Sequence, residues 1–240
     1  MKKIDIIEEI ILTDGNPRKL RVLLPDHYDP KHRKYPVIYM HDGQNLFEDQ
    51  TSYAGYSWKI YETLKTLNLS DQFIVVGIDN SDLRLFEYSP WKSGVKATQY
   101  IGIETGGLGS IYADFVVGHV KPLIDQTYAT LSDPKHTYIL GSSMGAYISV
   151  YIALTYSNVF SVIGSFSIAS WYNEKALLDF IDAYEGPTEM KFYISVGTKE
   201  SNDEAMAQAY IQNSQTLKRH LESKGFRDIP FILTDDTHHE

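Results

Sequence analysis

The sequence predicts an α/β fold: a mostly parallel central sheet with an antiparallel N-terminal hairpin and helices on both faces. Three observations carry this. From about Tyr35 onward, apolar runs rich in β-branched and aromatic residues alternate with helical patterns, the order that builds parallel strands joined by covering helices. The first two apolar runs are joined instead by Thr13-Asp14-Gly15-Asn16, a hairpin signal. At 240 residues and 43% apolar, the chain can fill one sizeable core, and no repeat, low-complexity tract or linker divides it. Residues 1–240 therefore read as a single domain.

Strands are expected over residues 4–12, 20–24, 35–40, 73–78, 137–140, 162–167, 191–196 and 229–233, each a short apolar run bounded by turn-forming residues. Helices are expected where apolar residues recur at helical spacing, over 56–67, 111–128, 146–156, 174–184 and 203–224. The glycine-dense segment ETGGLGS at 104–110 follows no clear strand and has no Lys-Ser/Thr ending. It reads as a flexible loop near a pocket rather than a phosphate cradle.

Composition narrows the partners. A net charge of -9 and a pI near 5.3 argue against nucleic acid, whose binders display a basic face, and favour a neutral or hydrophobic substrate. The absence of cysteine removes disulfides, thiolate metal sites and cysteine nucleophiles, and fits a reducing cytoplasm. Met-Lys-Lys opens the chain like a secretory signal, but Asp5, Glu8 and Glu9 interrupt the apolar residues before an h-region forms. No apolar run approaches the roughly 18 residues that span a bilayer, so no membrane partner is expected.

One stretch carries chemistry. After the apolar run at 137–140, Gly141-Ser142-Ser143-Met144-Gly145 leads directly into a helical pattern. In a strand-turn-helix context, GxSxG lifts the central hydroxyl out of a strained turn while the glycines let strand and helix approach. Ser143 is thus the candidate nucleophile; a plain turn is the competing reading. A serine needs a base, and the base needs an acid to orient it. In this architecture both lie downstream, on loops after later strands. Glu200 follows the strand at 191–196, with Asp203 as the competing acid; a solvated loop carboxylate, or one that helps cap the helix starting near Asp203, is the other reading of Glu200. His238 and His239 follow the strand at 229–233, and because neighbouring side chains diverge only one can face Ser143; His238 is favoured. His27, His32, His119, His136 and His220 read as surface residues.

Acyl chemistry also needs N–H donors for a developing oxyanion. Met144, next after the serine, supplies one candidate, and the loop His41-Asp42-Gly43-Gln44 after the strand at 35–40 supplies the other at Gln44. His41 and Asp42 lack a third and fourth ligand at usable spacing, so neither a metal nor another cofactor is expected. Trp58, Tyr88, Trp91, Trp171 and Tyr172 are candidates for an aromatic or sugar-binding pocket, with Arg84 for a carboxylate; core or rim packing is an equal reading.

With YPVIYMHDGQNLF at 35–47, VVGIDN at 75–80, Arg84 and EYSPW at 87–91, YADFVVGHVKPLID at 112–125, ILGSSMGA at 139–146, ISVGTKE at 194–200 and the terminal THHE, the chain resembles the Putative esterase family of α/β-hydrolases. That family includes feruloyl and acetyl-xylan esterases, formylglutathione hydrolase, siderophore esterases and mycolyltransferases. The resemblance implies Ser143 as nucleophile, Glu200 as acid, where relatives often have Asp, His238 as base, and Gln44 and Met144 as oxyanion donors. It implies hydrolysis of a small-molecule ester, a small-acyl carbohydrate or aryl ester first, with Arg84, Trp91 and Trp171 as substrate-binding candidates. Relatives usually continue past the histidine through a Trp-containing loop into a final helix, so this chain is expected to lack that helix. A thioesterase or acyltransferase of the same fold, or a catalytically silent binding module, are the rival readings. Homodimers are common in such folds, and the sequence does not decide the point.

Overall fold

In the computed structural model, residues 2–10, 15 and 17–238 are described, apart from the side chains of 9, 10 and 236–238. Among the described residues eight strands form one sheet: β1 (Lys3–Ile10), β2 (Pro17–Leu24), β3 (Val37–His41), β4 (Ile74–Ile78), β5 (Thr137–Ser142), β6 (Val162–Phe166), β7 (Lys191–Lys199) and β8 (Phe231–His238). Their spatial order is β1-β2-β4-β3-β5-β6-β7-β8. β1 pairs antiparallel with β2, and β2 with β4; every later pairing is parallel. The hairpin register runs from Lys3 opposite Leu24 to Ile10 opposite Pro17, while of the four turn residues only Gly15 lies among the described residues.

The helices are α1 (Ile60–Thr66), α2 (Arg84–Glu87), α3 (Val95–Ile101), α4 (Gly109–Phe115), α5 (Lys121–Thr127), α6 (Met144–Thr155), α7 (Glu174–Asp182) and α8 (Glu204–Ser223). α4 and α5 form one helical run joined by a π turn at Val116–Val120, where periodicity alone predicts an unbroken helix. α1 begins four residues later than its pattern suggests. Trp58 donates its N–H to the Asn45 carbonyl at 2.7 Å and Lys59 sits at φ 54°, so tertiary contacts take the first turn out of the helix.

Two differences bear on the site. The segment at 104–110 is pinned rather than loose: Thr105 shares a hydrogen bond with the Tyr172 hydroxyl at 2.8 Å, and Gly106 bridges to Lys92. β8 runs to His238, where the sequence predicts a loop from Thr234. Gly197 pairs with Thr234 and Lys199 with His238 across a bulge, so strand pairing carries the C-terminal residues up beside the end of β7.

The core follows from the strand pattern. β4 (IVVGI) is buried at every residue, as expected for a strand covered on both faces. α6 is buried from Met144 to Val150 and again from Ile152 to Leu154, and packs on β5 and β6. Its lack of a polar stripe marks a helix enclosed in the core.

Candidate active site

Parallel strands place their carboxyl ends, and the loops after them, along one edge of the sheet, where ligands collect in open α/β folds. β3, β5, β6, β7 and β8 deliver the candidate residues there.

Ser143 occupies the turn between β5 and α6 at φ 56°, ψ -120°, a conformation that costs about 1–3 kcal/mol for a residue other than glycine. The surroundings hold it there. Its N–H donates to the Phe166 carbonyl at 2.9 Å, and its own carbonyl accepts the Ala169 N–H at 3.2 Å, so β6 and its loop clamp the turn from the side. The flanking glycines are a steric requirement: a Cβ on Gly141 would stand 2.3 Å from the carbonyl carbon and oxygen of Gly145. The Ser143 side chain is neither buried nor fully exposed.

Glu200, at the end of β7, is 4% exposed. Its Oε1 accepts the Ser167 hydroxyl at 2.5 Å and the Gly197 N–H at 2.6 Å. Asp203, the competing acid, instead accepts the Met206 N–H at 2.9 Å and caps α8. The capping reading thus belongs to Asp203. The His238 backbone pairs with Lys199, next to Glu200 in the chain; the His238 side chain and the whole of His239 lie outside the described residues.

The loop after β3 lies against both β4 and the start of α6. A Cβ on Gly43 would meet the Gly77 carbonyl carbon at 2.6 Å, and one on Gly145 would meet His41 Cβ at 3.3 Å and Asp42 Oδ2 at 3.4 Å. Gln44 is tied at both ends: its Oε1 accepts the Asn80 N–H at 3.1 Å and its carbonyl accepts the Thr51 hydroxyl at 2.7 Å. Met144 opens α6, where N–H groups have no intrahelical acceptor and the helix dipole is positive.

Beneath this loop lies a buried charged network. Arg84 forks onto Asp42, Nε to Oδ1 at 2.7 Å and Nη2 to Oδ2 at 2.8 Å, and Asn80 donates to Asp42 Oδ1 at 2.5 Å. Burial pushes the Asp42 carboxyl up, but the Arg84 charge and hydrogen bonds, with that of Asn80, more than offset it and hold the group below its ordinary value. His41 is 1% exposed, with Nδ1 2.8 Å from the Tyr112 hydroxyl. Among the described residues its buried Nε2 has no hydrogen-bond partner. Burial pushes its pKa down to about 4, with Asp42 acting upward and Arg84 downward. Among the described residues no cluster of three His, Cys, Asp or Glu could hold a metal ion.

The three side chains expected to bind substrate differ in placement. Trp171 lines a cavity of about 700 Å³ between α3, α8 and the loop after β6. Trp91 packs edge-on against Tyr147 and Tyr151, with ring centroids 5.9 and 5.6 Å away. Arg84 is committed to Asp42 through two of its nitrogens. One residue of this cavity has no signal in the sequence: Tyr210 of α8, whose hydroxyl accepts the Trp171 indole N–H at 2.8 Å. It shares the buried face of α8 with Ala207, Ser214, Leu217 and Leu221, and in the sequence looks like any core aromatic.

A family model described as Putative esterase matches residues 13–228. The chain belongs to this family. The Bacillus subtilis (strain 168) protein YbbA is 25% identical to this esterase-family chain over 221 residues, covering 92% of this chain and 84% of YbbA. Among solved structures, the siderophore hydrolase EstA from Aspergillus nidulans superposes with a TM-score of 0.76 at 18% identity, covering 98% of this chain and 88% of EstA. An IroE-like serine hydrolase from Shewanella oneidensis gives a TM-score of 0.76 at 17% identity, covering 100% of this chain and 75% of its own. The fold of this Putative esterase is therefore that of the α/β-hydrolases, as the strand order and the antiparallel N-terminal pair also indicate. Among the described residues no helix is long and apolar enough to cross a membrane.

Proposed function

We propose that this member of the esterase family is a serine carboxylic-ester hydrolase that works through an acyl-enzyme. The observation that carries the reading is the backbone of Ser143: a non-glycine residue held at positive φ between strand and helix by the loop after β6, whose Ser167 also donates to the buried Glu200 carboxylate just past β7. A strained conformation kept by a dedicated set of hydrogen bonds is what an exposed nucleophile requires, and a plain turn does not. The words "serine hydrolase" in the name of the Shewanella oneidensis relative agree with it.

In this reading His238, oriented by Glu200, takes the proton from Ser143 Oγ as the oxygen attacks the ester carbonyl. The backbone N–H groups of Gln44 and Met144 receive the oxyanion. The tetrahedral intermediate collapses as His238 returns the proton to the departing alcohol, leaving the acyl group on Ser143. Water, deprotonated by the same imidazole, then attacks the acyl-enzyme and releases the acid. Loss of an oxyanion donor costs a factor of about 100 to 1000 in such chemistry. Trp171 is the substrate-contacting member of the three expected residues. Arg84 acts through Asp42 as a positioning residue for the Gln44 loop, and Trp91 acts through packing. Small-acyl carbohydrate or aryl esters are the proposed substrates, since the cavity that Trp171 lines is largely apolar and carries aromatic side chains.

Hydrolysis of p-nitrophenyl acetate by the wild-type protein and by Ser143→Ala tests the proposal. Turnover by the wild type and its loss in the variant support it; equal rates in the two reject it.

A further inference from the structure

Asp42 stands at φ 57°, ψ 45°, a left-handed conformation that a residue other than glycine keeps only where its contacts hold it. It lies between the candidate oxyanion donor and the serine turn: Gln44 follows two residues on, and a Cβ on Gly145 would stand 3.4 Å from Asp42 Oδ2. Arg84 supplies the countercharge for this buried carboxylate. Asn80 supplies its position. The Asn80 side-chain amide donates to Asp42 Oδ1 at 2.5 Å and the Asn80 backbone N–H donates to Gln44 Oε1 at 3.1 Å, so one residue of the loop after β4 grips the loop after β3 at two places.

Asn80 is anchored in turn through its neighbour Asp79. The Asp79 N–H donates to the Lys19 carbonyl at 3.0 Å, and its carbonyl accepts Arg18 Nη1 at 3.0 Å. Arg21 forks onto its carboxylate, Nε to Oδ1 at 2.8 Å and Nη2 to Oδ2 at 2.9 Å. Arg18, Lys19 and Arg21 all belong to β2, so the sheet fixes Asp79 and thereby the residue after it.

The geometry points to Asn80 as a positioning residue: it couples the fixed end of β4 to the Gln44 N–H, through the Asp42 carboxylate and the Gln44 side chain. This rests on the roles proposed above for Ser143 and Gln44. Losing Asn80 differs from losing Arg84. Without Arg84 a buried carboxylate is stranded, which is a folding defect. Without the Asn80 amide, Asp42 keeps its ion pair, and because Asn80 is only half-buried, water replaces the lost contact. The chain folds while the loop is loosened. A displaced N–H then weakens binding of the transition state more than of the substrate, because charge on the oxygen develops only there.

The test is steady-state hydrolysis of p-nitrophenyl acetate by wild type, Asn80→Ala, Asn80→Asp, Gln44→Met and the double variant Asn80→Ala/Gln44→Met, beside Tm. Asn80→Ala lowers kcat by about tenfold or more, short of the factor of about 100 to 1000 for outright loss of an oxyanion donor, with KM within about twofold of wild type and Tm within about 5 °C. Asn80→Asp loses more, since it sets a second carboxylate against Asp42. Gln44→Met keeps the Gln44 N–H but removes the acceptor for Asn80, and it lowers kcat in the same way. The double variant loses less than the product of the two single losses, because both act on one loop. A folded Asn80→Ala with kcat within twofold of wild type overturns the inference, and so does a loss carried by KM alone or a double variant that loses the full product. If Asn80→Ala does not fold, Gln44→Met decides the matter, and an unchanged kcat there overturns the inference. Wild-type turnover that is absent, or that survives Ser143→Ala, removes the esterase reading and this inference together, whereas Ser143-dependent turnover with kcat unchanged in Asn80→Ala removes this inference alone.

Discussion

The Ser167 hydroxyl donates to the Glu200 carboxylate at 2.5 Å, so the carboxylate at the end of β7 is oriented by the loop that follows β6. The same loop holds Ser143, through the Ala169 N–H on the Ser143 carbonyl. One segment therefore aligns two of the three groups that the proposed mechanism uses.

From this link follows a graded pair of outcomes. Glu200→Gln keeps the shape and loses the charge, and kcat for p-nitrophenyl acetate falls by three to four orders of magnitude, roughly the effect of neutralising a triad acid. Ser167→Ala removes one hydrogen bond to a charged group, a loss of about 1.5–3 kcal/mol where it is fully felt. It lowers kcat by about tenfold with KM unchanged. Steady-state kinetics on both variants checks the ranking.

Strain at Ser143 predicts a trade of activity for stability. Glycine accepts φ 56° without penalty, so Ser143→Gly recovers part of the 1–3 kcal/mol stored there, less the larger entropy of glycine in the unfolded chain. The variant is inactive, and its Tm rises by about 2–4 °C. Differential scanning calorimetry beside the wild type measures the change; a lowered Tm contradicts the strain.

The two glycines of the turn differ in what they protect. A Cβ on Gly141 meets Gly145 backbone at 2.3 Å, where nothing flexible can give way, so Gly141→Ala costs about 3 kcal/mol in denaturant unfolding. A Cβ on Gly145 meets His41 Cβ at 3.3 Å and Asp42 Oδ2 at 3.4 Å. Small shifts absorb that contact, so Gly145→Ala costs about 1 kcal/mol or less in stability. It displaces the loop that carries Gln44, however, and kcat drops by about tenfold.

His41 makes stability depend on pH. Its folded-state pKa, about 4, lies below the ordinary 6.5, so between these values the unfolded chain binds the proton and the folded chain does not. Stability is thus highest above pH 6.5 and is lost as pH falls toward 4, by roughly 3 kcal/mol from this group. His41→Asn removes that part of the slope. Urea unfolding at pH 7 and pH 4.5 for both proteins checks it.

Much of this fold was legible because it depends on local pattern. All eight strands and the longer helices are visible in apolar runs and in helical spacing, and Gly141-Ser142-Ser143-Met144-Gly145 announces its own turn because only small flanking residues fit the approach of Gly141 to Gly145. α2 and α3 were not visible, since four and seven residues are too few for periodicity to register. Long-range contacts were harder to read. Arg84 looks like a free cation in the sequence, and only the meeting of the loops after β3 and β4 shows it spent on Asp42. Tyr210 looks like core, and only the packing of α8 on the loop after β6 brings its hydroxyl to the Trp171 indole. The extension of β8 to His238 depends on pairing with the end of β7, which no composition of Thr-Asp-Asp-Thr-His foretells.

The most direct test of the central claim is mass spectrometry of the protein after reaction with a fluorophosphonate probe. The account predicts one adduct per chain, located on the peptide containing Ser143 and absent from Ser143→Ala. No adduct on the wild type, or an adduct that survives in Ser143→Ala, contradicts it.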